Sequence, residues 1–284
     1  MTEIIFRKNQ GIPRQDSVNP LITASDAFHY NESIRTGRSV PHMTATARIP
    51  IGNEGLKGTA HCFSPVSFAR LQSIMYRKPA EKGAILFWEG DPADNLIFVR
   101  SGRVRITKTA ENGRHITLYL LQSGDLYGQP DPSGRPVHAF NAEVLEPGEI
   151  GVIRWSDLEV LLWQHGDFAI EFVKWMGLMH RLTQTKFRDL MMYGKAGALC
   201  SLLIRLCNSN GVPDADGTLI SLKISHAELA DMIGATRECV NRMLSKFRKE
   251  HVVLVKDGHL VVRNLDYLRD VCQCENCPKE ICRM

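Results

Sequence analysis

Four of the chain's eight cysteines fall within its last thirteen residues, in the run Cys272-Gln273-Cys274-Glu275-Asn276-Cys277-Pro278-Lys279-Glu280-Ile281-Cys282. In a reducing compartment, thiols this closely spaced bind metal more often than they pair as disulfides. Four thiolates suit a tetrahedral zinc ion, and they equally suit an iron-sulfur cluster, which needs four anionic ligands. The spacing leaves both metals open. Cys62, Cys200, Cys207 and Cys239 stand alone and read as packing residues.

A second chemistry lies upstream. Ser225-His226-Ala227-Glu228 forms a capping box, in which serine and glutamate each satisfy an orphan backbone donor, and a short helix follows it. Gly234 makes a turn, and Thr236 caps a second helix that buries Val240, Met243, Leu244 and Phe247. Its opposite face carries Arg237, Glu238, Asn241, Arg242, Ser245 and Lys246, with 237, 238, 241, 242 and 245 on one stripe able to meet a single major groove. Arginine forks match guanine O6/N7, and glutamate accepts from cytosine N4. Two β runs joined by Asp257-Gly258 then read as a wing. Helix-turn-helix, basic stripe and wing, arriving in that order, predict DNA binding over a merely solvated face.

Other elements must position these groups. A helix is expected over about 167–192, capped by Asp167, with Phe168, Phe172, Trp175, Met179 and Leu182 at alternating four- and three-residue spacings. That seam predicts a two-fold dimer of long helices. Extending it reaches Lys186 and Asp189, and periodicity alone puts this carboxylate in water. Another helix is expected over 195–207, ended by a loop at 208–217. From Gly83 to Trp155 the pattern becomes short β runs at 85–88, 96–99, 104–107, 116–121 and 149–153, which predicts an antiparallel roll with a two-residue hairpin turn at Asn112-Gly113. Ser64-Pro65 starts a short helix, and the residues before it lack any sustained period and read as a mobile extension.

A formal net charge of +4 does not by itself identify an acidic partner. Purely apolar runs such as Ala84–Trp88 fall far short of the ~18 residues of a membrane span, and Met1–Gln10 has no apolar stretch like a secretory signal, so the expected compartment is the cytoplasm. Paired carboxylates, a nucleophile-base constellation and a phosphate-binding glycine loop are all missing from the sequence, so an enzyme is not expected.

The order of parts resembles the CRP/FNR family of bacterial transcription regulators from about Phe63 onward. Gly83, Gly90, Gly102, Gly113, Gly124 and Gly128 match the roll's turns, and Arg237-Glu238-Cys239-Val240-Asn241-Arg242 matches the family's base-reading pattern. The resemblance implies an α+β chain: an extension (1–57), an antiparallel β-roll of the cyclic-nucleotide-binding, jelly-roll kind (58–165), a dimerisation helix (166–193), a winged helix-turn-helix (194–270) and a cysteine tail (271–284). It implies a homodimer on a TGTGA-type palindrome, with Arg237 and Arg242 on guanines and Glu238 on cytosine, and contact with RNA polymerase as an activator.

In the family's cyclic-nucleotide branch, a glutamate after Gly-Asp-x-x-Gly and an Arg-Ser pair hold the cyclic phosphate. Here Gln129 and Pro136-Val137 stand at those positions, with Arg135 one residue away, so no cAMP is expected. The tail is similar to that of the Bacillus-type FNR branch. This implies an oxygen-labile [4Fe-4S] cluster on Cys274, Cys277 and Cys282, closed by Asp189 or by Cys272. Bonds to the metal are then expected to tie an otherwise fraying tail to the dimer helix.

Overall fold

The computed structural model describes residues 56–113, 115–128 and 137–284. The expected extension falls outside them save for its last two residues, as do Gln129, Arg135 and Pro136.

The 3-10 segment Gly58–Cys62 leads into α1 (Pro65–Ser73), whose cap Ser64 accepts from the Ser67 amide, as the Ser-Pro start predicts. The roll comprises β1 (Tyr76–Ala80), β2 (Ile85–Phe87), β3 (Asn95–Val99), β4 (Arg103–Thr109), β5 (His115–Gln122), β6 (Leu126–Tyr127), β7 (Asn141–Glu146) and β8 (Gly148–Arg154). They form two antiparallel sheets, ordered β1-β8-β3-β6 and β2-β7-β4-β5. Val104 and Ile106 point into the roll with no exposed surface while Arg103 and Arg105 pair outward with Glu146 and Glu143, the alternation read from the sequence. The turn at Asn112-Gly113 differs from expectation. Thr109 pairs with His115, so five residues intervene; Gly113 takes φ +77° while Asn112 stays at negative φ.

Between β8 and the long helix lies α2 (Trp155–Gln164), followed by α3 (Gly166–Asn210). His165, not Asp167, takes the cap position, and Asp167 instead pairs with Arg70 at 2.8 Å. At Gly194 the backbone leaves helical geometry (φ 60°, ψ −163°), a conformation essentially confined to glycine, so α3 consists of two arms.

The seam packs differently from expectation. Phe168, Phe172, Trp175 and Leu182 are buried against the chain's own roll, with Phe63, Phe98 and Ile153 around the first three. Large aromatics at this spacing fill the roll's open side. A second three-four stripe is left outside: Ile170, Val173, Gly177, His180, Gln184, Phe187 and Met191, with Ile170, Val173, Phe187 and Met191 all 61–66% exposed. α3 is long and apolar enough to cross a bilayer, unlike any purely apolar run in the sequence, but 56% of its most apolar stretch is buried in the protein.

The loop expected at 208–217 is a hairpin, β9 (Gly211–Asp214) and β10 (Gly217–Ile220). It extends the wing strands β11 (Val253–Lys256) and β12 (His259–Val262) into one sheet ordered β11-β12-β10-β9. Between the hairpins come α4 (His226–Ile233) and α5 (Arg237–Lys249), and α6 (Leu265–Val271) precedes the tail. One core of Leu199, Leu203, Leu229, Val240, Phe247 and Val262 binds α4, α5 and the sheet to the second arm of α3.

Candidate metal centre and nucleic-acid interface

The winged module places every residue of the sequence-predicted stripe on one helix. Ser225 and Glu228 form the capping box reciprocally, Gly234 ends α4 in the left-handed conformation, and Thr236 accepts from the Cys239 amide to start α5. Val240, Leu244 and Phe247 lock α5 to the core. Arg237, Glu238, Asn241, Arg242 and Lys246 are exposed opposite them, and Ser245 is half-buried beneath the Arg248 guanidinium, which donates to it at 3.0 Å. Hydrogen bonds at the helix start, its own amide's first and then Thr236, together with Arg237 and Arg242, hold the Glu238 carboxyl below the usual carboxylate range. It is therefore an acceptor at neutral pH. Asp257 and Gly258, both at positive φ, close the wing as the sequence predicts, and Lys256 of the wing pairs with Asp214 of the neighbouring hairpin at 2.9 Å.

The tail cysteines and Asp189, some eighty residues apart in sequence, meet. Cys272, Cys274, Cys277 and Cys282 line one small pocket together with Thr185, Arg188, Asp189 and Arg205. Asp189 is buried rather than solvated, the opposite of what periodicity alone suggests. One carboxylate oxygen accepts from Arg188 (Nε 3.0 Å, Nη2 2.6 Å), and the other accepts from Arg205 Nη2 at 3.0 Å and from the Ser201 hydroxyl. Arg188 also pairs with Glu275 of the tail at 2.5 Å. Burial pushes the Cys272 thiol up to about 12 and raises Cys282 as well.

Four thiols and a carboxylate around one pocket are a donor set that fits a cluster, with Asp189 or Cys272 as the fourth ligand beside Cys274, Cys277 and Cys282. Among the described residues no three His, Cys, Asp or Glu side chains converge tightly enough for a single metal ion. The ligands of a cubane each bind a different iron and stand wider apart than ligands around one ion. Burial pushes the isolated thiols of Cys200 and Cys207 up to about 12 and that of Cys62 to about 11.

The tail is fastened more firmly than the sequence suggested. Arg205 donates to the Ile281 carbonyl (3.2 Å), Asn208 to that of Cys282 (2.8 Å), and the Met284 amide to Ser209 (3.1 Å). Arg283 pairs with Asp125 of the roll at 2.8 Å. The tail is thus tethered without any metal bond, a correction to the fraying tail, and no periodicity or motif signals these contacts.

Inside the roll, Phe87 stacks on His138 (centroids 3.6 Å apart) and on Tyr127, which meets Tyr119 edge-on. Aromatic rings thus occupy the interior beside the Gly124–Gly128 turn.

A roll, a long helix with an exposed apolar stripe, and a winged helix-turn-helix define a DNA-binding regulator with a sensor-like domain. Residues 77–165 match the cyclic nucleotide-binding domain family and residues 197–271 the Crp-like helix-turn-helix family. The chain is 42% identical over 216 residues to the anaerobic regulatory protein of Bacillus subtilis, covering 75% of this chain and 91% of that one. It is 29% identical over 188 residues to a global nitrogen regulator of Synechocystis, covering 65% and 83% respectively. Among solved structures, FixK2 from Bradyrhizobium japonicum shares the fold at TM-score 0.61 and 20% identity, covering 70% of this chain and 97% of that one. A CooA mutant from Carboxydothermus hydrogenoformans does so at 0.60 and 22%, covering 74% and 91%. The chain belongs to the CRP/FNR family of transcription regulators, and membership implies DNA binding and dimer formation.

Proposed function

We propose that this chain is an oxygen-responsive regulator that, as a homodimer, binds a TGTGA-type palindrome while a [4Fe-4S] cluster is intact, and activates anaerobic genes from the cytoplasm through RNA polymerase. The observation that carries the reading is the convergence of Cys274, Cys277 and Cys282 with Asp189 on one pocket, in a chain 42% identical to an anaerobic regulator. When bound, the cluster supplies an oxygen-labile bond set between tail and helix.

The chain's own residues do the rest. Cys274, Cys277 and Cys282 would hold the cluster together with Asp189, whose oxygens now accept from Arg188 and Arg205, and Cys272, lining the same pocket, is the competing ligand. The exposed stripe Ile170–Met191 pairs with its copy and sets two α5 helices about one DNA turn, ~34 Å, apart. Arg237 and Arg242 read guanines, Glu238 reads cytosine, and Asn241, Ser245 and Lys246 complete the face. The aromatic filling of the roll by Phe87, Tyr119 and Tyr127 supports a sensor that takes no cAMP.

Anaerobic purification with iron and sulfide analysis, followed by operator binding before and after air, tests this. Brown protein whose specific affinity collapses in air is the expected result. Colourless protein with one zinc and unchanged affinity would replace the cluster with a structural zinc tail held by four cysteines.

A further inference from the structure

The tail makes a contact that the proposed switch does not use. Arg283 follows Cys282 directly, and its guanidinium crosses to the roll, where Nη2 donates to Asp125 at 2.8 Å. Both side chains are buried, Asp125 at 2% exposure and Arg283 at 10%. Asp125 is also the node of a second set of bonds. One of its oxygens accepts the Thr59 amide and the other the Gln122 amide, each at 2.9 Å. Thr59 in turn accepts the Leu126 amide through its hydroxyl, and the Ala60 amide donates to Gly124 at 2.9 Å. Gly124 sits at φ +93°, and a β-carbon there would strike the Lys57 carbonyl, so the turn and the 3-10 segment are pressed together. The last residues of the chain, the Gly58–Cys62 segment and the Gln122–Leu126 turn therefore share one buried carboxylate.

A buried ion pair of this kind holds only while both partners stay put, because withdrawing the cation leaves an unpaired charge inside the protein. One peptide bond separates Arg283 from Cys282, so a shift of that cysteine moves the guanidinium with it. We propose that Arg283 is a positioning residue that transmits the state of Cys282 to the roll through Asp125, so that release of the cysteine loosens both Gly58–Cys62 and Gln122–Leu126. This rests on the proposed metal centre for its input, while the latch itself rests on the ion pair. Redox chemistry at the cysteines is thereby read in the domain that the family uses for sensing, by a route that needs no small molecule in the roll.

The test is amide hydrogen exchange on full-length protein, anaerobic and metal-loaded, then stripped with a chelator, for wild type, Arg283→Gln and the conservative Arg283→Lys. In wild type, stripping raises exchange in peptides spanning 58–62 and 122–126 by about fivefold or more. In R283Q those peptides exchange fast before stripping and no longer respond to it, although iron content and the visible spectrum match wild type. R283K restores part of the response. Operator affinity of loaded R283Q falls about tenfold, a usual size for coupled sites. A merely structural arginine would lower stability yet leave the metal-dependent difference intact, and that outcome overturns the proposal. So does a loaded wild type whose two segments ignore stripping. If no metal loads, the proposed metal centre fails by itself. The latch is then judged on the isolated protein with Cys282→Ser: faster exchange at both segments in the wild-type background, with no further increase when combined with R283Q, upholds it, and exchange at those segments that ignores Cys282→Ser overturns it.

Discussion

Replacing Asp189 with alanine removes a buried anion shared by two arginines, Arg188 and Arg205, and the structure indicates which arginine sets the penalty. Arg188 keeps Glu275 as a partner at 2.5 Å, on a side chain 61% exposed to solvent, so its loss resembles that of a surface pair, ~0–1 kcal/mol. Arg205 is different. Its side chain is 5% exposed, and without Asp189 it retains only the Ser201 hydroxyl and the Ile281 carbonyl, both at 3.2 Å. Removing one partner of a buried pair costs roughly 3–5 kcal/mol, so D189A should lose about that much in urea unfolding of the metal-free, reduced protein. Asp189→Asn keeps the volume and one acceptor but leaves the guanidinium charge uncompensated, for a loss of about 2 kcal/mol. The double variant D189L/R205M removes both charges and should recover most of the stability. If D189A unfolds within about 1 kcal/mol of wild type, or if the double variant is no better than the single, charge balance at Arg205 is not what holds this region together.

Three further outcomes are expected. Val173→Asp and Phe187→Asp should produce monomers in analytical ultracentrifugation with near-native unfolding midpoints, whereas Trp175→Ala, deleting a ring 1% exposed, should cost about 3–5 kcal/mol of stability. Arg237→Ala should weaken operator binding by ~1–3 kcal/mol and relax preference at one base pair, whereas Lys246→Ala should weaken all sequences alike and reduce the salt slope by about one, as read by titrations at several salt concentrations. Burial, with repulsion from Arg205 and Arg283, pushes the Lys186 ammonium down to about 7. Between pH 7 and about 10 the unfolded chain then binds the extra proton, so stability should rise with pH over that window, and Lys186→Met should flatten the rise in urea denaturation.

Much of the DNA-reading module was legible because each of its signals is local. The capping box, Gly234 and Asp257-Gly258 each dictate a backbone conformation within four residues, and α5 keeps its basic side chains on one face by helical period alone. The long helix was half legible. Periodicity announces a stripe but not what covers it, and α3 carries two interleaved stripes. The one richer in aromatics went to the roll, and the one with Gly177, His180 and Gln184 was left outside. The β9-β10 hairpin read as a loop because Pro213, Asp214 and Gly217 are turn residues in isolation, yet β10 pairs with β12 through Thr218 and Leu219 and, through Gly217 and Thr218, draws Asp214 and Pro213 into the sheet. The resemblance brought Asp189 to the cysteines. Its burial by Arg205 and Ser201, and the grip of Asn208, Ser209 and Asp125 on the tail, depend on contacts distant in sequence that no spacing rule connects, such as Ser201 with Asp189, 12 positions apart, and Arg283 with Asp125, 158 apart.

A helix that buries one flank in its own barrel and turns the other outward is a shared axle. Trp175 cannot shift without disturbing the roll on one side and whatever grips Val173 on the other. Were two copies joined along that outer flank, as proposed, neither barrel could rearrange privately: a disturbance within one would be felt by its twin, and both DNA-reading helices would respond together.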